Sequence, residues 1–152
     1  MANKEQFKLL CRKGTDAWNK WRDEHGDTRP DLSRARFDRA DLIGANLSGA
    51  GLFEAFFLKA NLSMADLSGA NLQRADFSRA KLCGVKLGGA DLSEAKLNEA
   101  DLSGANLTEA ILSRAELAWP SSRGRTSPRR YSPRRTLAGQ ISVGRASARS
   151  PS

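Results

Sequence analysis

Residues 61–80 read NLSMADLSGANLQRADFSRA. Leu62, Leu67, Leu72 and Phe77 stand five apart, and an Ala sits two places before each of them. Followed outward, the phase holds from Leu32 to Leu117 as eighteen Leu or Phe at every fifth position. Ala stands two before each, apart from Pro30 and Val85. Asp and Asn are the commonest residues just before the Leu, and Ser is favoured just after it.

A spacing of five fits neither regular element. On a helix, successive Leu would land about 140° apart and form no stripe. On a flat strand, an odd spacing sends each side chain to the opposite face. The spacing works if the chain turns a corner once per repeat. Ala and the central Leu then point inward, and the other three residues face out. Asp, Asn, Ser and Gly suit the corners because they tolerate turn geometry. Phe takes the central place only at Phe37, Phe57 and Phe77, which are 20 apart. Four repeats per turn would stack these three rings above one another, a favourable arrangement for aromatic side chains.

The phrases ARFDRADLIGANLSGA, ADLSGANLQRADFSRA and ADLSEAKLNEADLSGANLTEA resemble the A(D/N)LXX motif of the bacterial pentapeptide-repeat family. The resemblance covers about residues 31–117. It implies an all-β solenoid, a right-handed quadrilateral β-helix, which agrees with the four-sided reading.

The flanks differ from the repeats. Residues 1–29 form the N-terminal segment. Phe7, Leu10, Cys11, Gly14, Trp18 and Trp21 follow 3–4 spacing there, which places them on one face of a capping helix. Asn3 followed by Gln6 has the form of a capping box, and Gly26 is a stop signal. The phrase AWNKWRDEHGDTRPDLS also resembles the lead-in of bacterial pentapeptide proteins. The β-helix is expected over 30–119. A Ser/Arg/Pro-rich tail follows over 120–152, with eight Arg and no Lys or acidic residue. Such a composition buries no core, so a disordered tail is expected.

The net charge of +8 is a property of that tail. Residues 30–119 carry 10 basic and 12 acidic groups, net −2. No catalytic constellation stands out. His25 is the sole His, and the two Cys, Cys11 and Cys83, form no metal or redox motif. The Asp residues of the ADL phrases form outward ladders rather than a converging pair. The expectation is therefore a protein that is not an enzyme and takes no cofactor or metal. MANKEQFKLL has no apolar core of a signal peptide, and no run reaches the ~20 apolar residues of a membrane span. A cytoplasmic location and no membrane partner are expected.

Against this polar surface, GLFEAFFLKA (51–60) is an exception. Leu52 and Phe57 are central, so Phe53, Phe56 and Leu58 face outward as an apolar island. They are the candidate contact for a protein partner, with Ile111 near the C-terminal end. The uncapped C-terminal end suits a homodimer. A second reading is nucleic-acid binding through SPRRYSPRR (127–135), with Arg129, Arg130, Arg134 and Arg135 on phosphates. The resemblance further implies a third, DNA mimicry toward an enzyme such as gyrase. That role needs a strongly acidic rod, whereas Lys81, Lys86 and Lys96 occupy places usually filled by Asp or Asn.

Overall fold

A computed structural model describes residues 2–118 and the backbone of Arg129–Arg130. From residue 31 onward the chain forms a coil of isolated parallel bridges. Each joins a residue to the one 20 further on, as in Arg36↔Phe56, Phe56↔Asp76 and Asp76↔Lys96. Four repeats therefore complete one turn, and the coil has four sides. Side 1 centres on Leu32, Leu52, Leu72, Leu92 and Leu112. Side 2 centres on Phe37, Phe57, Phe77, Leu97 and Leu117. Side 3 centres on Leu42, Leu62, Leu82 and Leu102, and side 4 on Leu47, Leu67, Leu87 and Leu107. Four and a half coils at ~4.8 Å per layer give a rod roughly 20 Å tall.

The hydrogen bonds explain each place in the repeat. The N–H of a central residue donates to the coil above, as Phe37 does to the Phe56 carbonyl at 2.7 Å. The N–H before it donates to the coil below, as Phe56 does to the Ala35 carbonyl at 2.9 Å. Asp or Asn before the Leu closes the corner: Asp101 Oδ1 accepts the Ser103 N–H at 3.0 Å and its hydroxyl at 2.6 Å. Asn106 does the same with Thr108. This is the local backbone capture that makes Asx residues turn formers.

The residue two after the Leu is left-handed, from Arg34 at φ 61° to Arg114 at φ 59°. Only Gly adopts that region without cost. On sides 3 and 4 Gly takes this place at Gly44, Gly84, Gly104, Gly49, Gly69 and Gly89. On sides 1 and 2 it is filled by long charged residues.

The interior is a stack of Leu, Phe and Ala. Leu52, Phe57, Leu62 and Leu67 are fully buried, as are Ala55, Ala60 and Ala65. Phe57 stacks on Phe37 at 5.1 Å and on Phe77 at 4.8 Å. The spacing of the three Phe is thus the turn length of the coil.

The N-terminal helix α1 (Lys4–Glu24) lies over the first coil. Leu10 and Trp18 are buried there, and Phe7 packs on Phe37 at 5.4 Å. Its polar side chains serve the open backbone edge of that coil. Trp18 Nε1 donates to the Asn46 carbonyl at 2.8 Å, and Asn19 Oδ1 accepts the Asn46 N–H at 2.8 Å. The buried Arg22 donates to the carbonyls of Thr28 and Ser48. A solenoid end needs such a cover because its last layer has no neighbour to pair with.

Three details differ from the sequence reading. The helix is broken at Gly14, with φ 82° and ψ −180°, a conformation almost restricted to Gly. Cys11 is exposed rather than packed, since Leu10 takes the inward place beside it. The capping box is opened outward. Asn3 caps the N–H groups of Glu5 and Gln6, but the Gln6 side chain accepts the Asp31 N–H at 3.2 Å instead of returning to Asn3.

At the other end, β1 (Glu116–Leu117) pairs antiparallel with β2 (Arg129–Arg130). The disordered tail expected over 120–152 therefore has one paired segment, because the edge of a last coil can accept a strand. The rest of the tail lies outside the described residues.

Candidate functional site

The apolar island sits on the second coil, where the backbone is held from above and below. The Phe53, Phe56 and Leu58 carbonyls accept the N–H groups of Arg34, Phe37 and Arg39 in the coil below. From the same strip, Glu54, Phe57 and Lys59 donate to the coil above. Side chains on such a frame are displayed with little backbone freedom. Phe56 is 40 % exposed and Leu58 39 %, on either side of the buried Phe57. Phe53 is half-buried around the corner on side 1.

Arginines from the first coil lie against both rings. Arg36 Cζ is 5.4 Å from the Phe56 centroid, and its guanidinium is held by Asp38 at 2.9 Å. Arg34 Cζ is 6.0 Å from the Phe53 centroid, and its Nε donates to Glu54 at 2.8 Å. The island is thus an aromatic pair rimmed by two anchored cations, a combination favoured in interface anchors.

Ile111 is 48 % exposed but lies three coils further along side 1, so the structure does not bring it to the island. Arg129 and Arg130 form β2, while Arg134 and Arg135 lie outside the described residues.

Two surface features escaped the sequence reading. One is a ladder of alternating charge up the left-handed corner of side 1. Arg34 meets Glu54 at 2.8 Å, Arg74 meets Glu54 at 3.7 Å and Glu94 at 2.9 Å, and Arg114 follows in the same column. Its signal was present as charges 20 residues apart, which reading by fives does not line up. The second is Met64, 66 % exposed on side 3, with Ile43 at 48 % on the same side. Met64 lies across Gly84, where a Cβ would stand 2.5 Å from the Met64 Sδ.

Among the described residues no group of three or more His, Cys, Asp or Glu could hold a metal ion. The Cys83 thiol donates to Asp101 Oδ2 at 3.1 Å, and that bond, ahead of burial, pushes the thiol up. A thiol held protonated is a poor nucleophile. No described helix is long and apolar enough to cross a membrane.

The model for the pentapeptide repeat region matches residues 30–117. No curated protein matches the chain. Among solved structures, the pentapeptide repeat protein Rfr23 of the cyanobacterium Cyanothece 51142 is 38 % identical, with a TM-score of 0.58. The match covers 59 % of this chain and 62 % of that one, so the chain spans less than two thirds of that relative. A pentapeptide repeat protein of Nostoc PCC 7120 is 35 % identical over 65 % of this chain and 78 % of its own, with a TM-score of 0.34. One from the thylakoid lumen of Arabidopsis thaliana is 34 % identical over 56 % and 67 %, with a TM-score of 0.30.

Proposed function

We propose, for a chain that belongs to the pentapeptide repeat family, a non-catalytic role in the cytoplasm as a binding or scaffolding module that engages a protein partner through Phe53, Phe56 and Leu58. The right-handed course of the coil is taken with the family. One observation carries the reading: two large apolar side chains stand about two-fifths exposed on a hydrogen-bonded frame whose other outward places are mostly polar. Because the backbone beneath them is already fixed, a partner that covers the exposed two-fifths of Phe56 and Leu58 gains the transfer free energy of that remaining area against the side-chain ordering cost alone. Arg34 and Arg36 would contribute at the rim, where a partner carboxylate could replace part of their present pairing.

DNA mimicry fits less well. The repeat region carries net −2, and the side 1 corner alternates in sign rather than presenting a run of carboxylates.

The test is capture from the host lysate by the full chain, compared with a Phe53→Ser, Phe56→Asp double variant. A protein retained by the wild type at high salt and lost by the variant supports the reading. Lanes that match for the two baits would overturn it. Capture that disappears from both at high salt would point to the basic tail, because phosphate contacts are salt-sensitive.

A further inference from the structure

The two corner columns that flank side 2 follow one plan. On the side 1 corner the left-handed places are Arg34, Glu54, Arg74 and Glu94. On the side 2 corner they are Arg39, Lys59, Arg79 and Glu99. Level for level the signs agree except in the second coil, where one corner carries Glu54 and the other Lys59. The first four residues are all paired, Arg34 with Glu54 at 2.8 Å and Arg74 with Glu94 at 2.9 Å. In the second column Arg79 reaches Glu99 at 2.8 Å, but among the described residues neither Arg39 nor Lys59 has a carboxylate partner. Three cations therefore stand on successive levels, about 4.8 Å apart. Like charges on neighbouring strands oppose pairing. Each also holds a left-handed backbone, at φ 59°, in a place that Gly fills six times on sides 3 and 4. For the fold alone, a carboxylate at Lys59 would serve better.

This break in sign falls in the coil that carries the apolar island. Lys59 follows Leu58 in the chain, and both are exposed, with Phe56 on the same side. Arg36 lies against Phe56 at 5.4 Å and is already held by Asp38. The apolar surface of side 2 is thus bordered along one edge by cations that have no counter-charge of their own.

We propose that the partner segment seated on side 2 is acidic, with an apolar side chain over Phe56 and Leu58 and carboxylates on Arg39 and Lys59. This rests on the island as the contact and adds the chemistry of its partner. A protein segment fits better than a nucleic acid. The carboxylates of Asp38 and Asp76 stand on the same side and would oppose a run of phosphates. A single carboxylate set between Arg39 and Lys59 makes charge-assisted bonds to both and gives this column the alternation that the side 1 corner already has.

The experiment titrates the isotope-labelled full chain, followed by amide NMR, with three probes. They are a peptide of alternating Glu and Leu, a peptide of alternating Glu and Ser of the same length, and a single-stranded DNA of equal charge. The Glu–Leu peptide should shift the amides of Arg39, Leu58 and Lys59 and bind more tightly than the Glu–Ser peptide. Lys59→Glu should weaken that binding about tenfold or more, yet melt above the wild type at low salt because it completes the alternation. That melting point also separates a loss of binding from a loss of structure. Equal affinity in Lys59→Glu and wild type, with Leu58 still shifted, would overturn the acidic partner and leave the island as a contact. Equal affinity for the two peptides, with Leu58 unshifted, would remove the island and the proposal with it. DNA that shifts the same amides at least as strongly would overturn the proposal in favour of nucleic acid. Shifts confined to residues 120–152 would overturn it in favour of the tail. A Lys59→Glu melting point below that of the wild type would mean that the column is already compensated, and would overturn it too.

Discussion

The Phe57 ring lies 4.8 Å from the Phe77 ring and within 2° of parallel, although the two are 20 residues apart in sequence. That relationship joins sequence to fold, since the separation of the two rings is one turn of the coil. It also exposes a dependence. Each ring is packed by the layers above and below it, with no alternative neighbour to fill a gap.

Truncating the middle ring should therefore be severe. Phe57→Ala is expected to cost about 3–5 kcal/mol, because the lost burial is compounded by a cavity that two stacked neighbours cannot collapse into. Phe57→Leu, which places the usual residue of the repeat there, should cost much less. Chemical denaturation of both variants checks this. A Phe57→Ala loss below about 1 kcal/mol would mean that the ring is not an interior rung.

Gly14 offers a test whose sign decides the outcome. In an unbroken helix, replacing Gly by Ala gains about 1 kcal/mol. At φ 82° and ψ −180° an Ala is strained instead, and a loss of about 1–3 kcal/mol is expected. A Gly14→Ala melting point above that of the wild type would show a continuous helix. The break lets the segments before and after Gly14 meet the coil separately, through Phe7 on Phe37 and through Trp18 on Asn46.

These two sites mark what the sequence made legible. The interior was readable because eighteen positions repeat one demand, a Leu-sized residue with Ala beside it, and no other period satisfies it. The inward face of α1 was readable at Leu10 and Trp18 for the same reason. The kink was not, because spacing records which residues are apolar and says nothing about φ. Nor was the burial of Arg22, whose charge is accommodated by carbonyls of Thr28 and Ser48 that only the folded chain brings near. For the island, the outward direction of Phe56 and Leu58 followed from register. The arginines lying on Phe53 and Phe56 come from the coil below, 19 to 20 residues earlier, and could be inferred only once the turn length was known.

Acid should weaken the coil through its corner carboxylates. Asp101 is held below its ordinary value of 3.8, first by the Ser103 hydroxyl and then by the Cys83 thiol and the Ser103 N–H. Asp31 is lowered chiefly by the hydroxyl and N–H of Ser33. At Asp66 and Asp91 burial pulls upward most strongly of the single influences. The donors of Ser68 and Lys86, and of Ser93 and Gln73, together outweigh it. All four bind protons more weakly folded than unfolded. Their contribution is complete above about pH 4 to 5 and is lost as pH falls through the depressed folded values. The melting point should be level from neutral pH to about 5 and fall below about 4. A variant with Asp31, Asp66, Asp91 and Asp101 changed to Asn should lose much of that fall, because Asn106 makes the same corner bonds without a charge. An equal acid loss in both proteins would place its cause elsewhere.

The side 1 ladder should respond to charge sign and to salt together. Arg74 lies between Glu54 and Glu94, at 3.7 and 2.9 Å, with its side chain about half exposed. Exposed pairs contribute little singly, about 0.2–1 kcal/mol, and a shared cation loses its side-chain freedom once for two contacts. Arg74→Glu replaces two attractions with two repulsions in one column, so its melting point should lie below that of the wild type at low salt. At molar salt, where the screening length is about 3 Å, most of that difference should vanish. Arg74→Leu removes the attractions without adding repulsion and should fall between the wild type and Arg74→Glu. Melting the three proteins at low and high ionic strength checks the order. A salt-independent gap between wild type and Arg74→Glu would mean that the arginine acts by packing its aliphatic stem along the coil rather than by its charge.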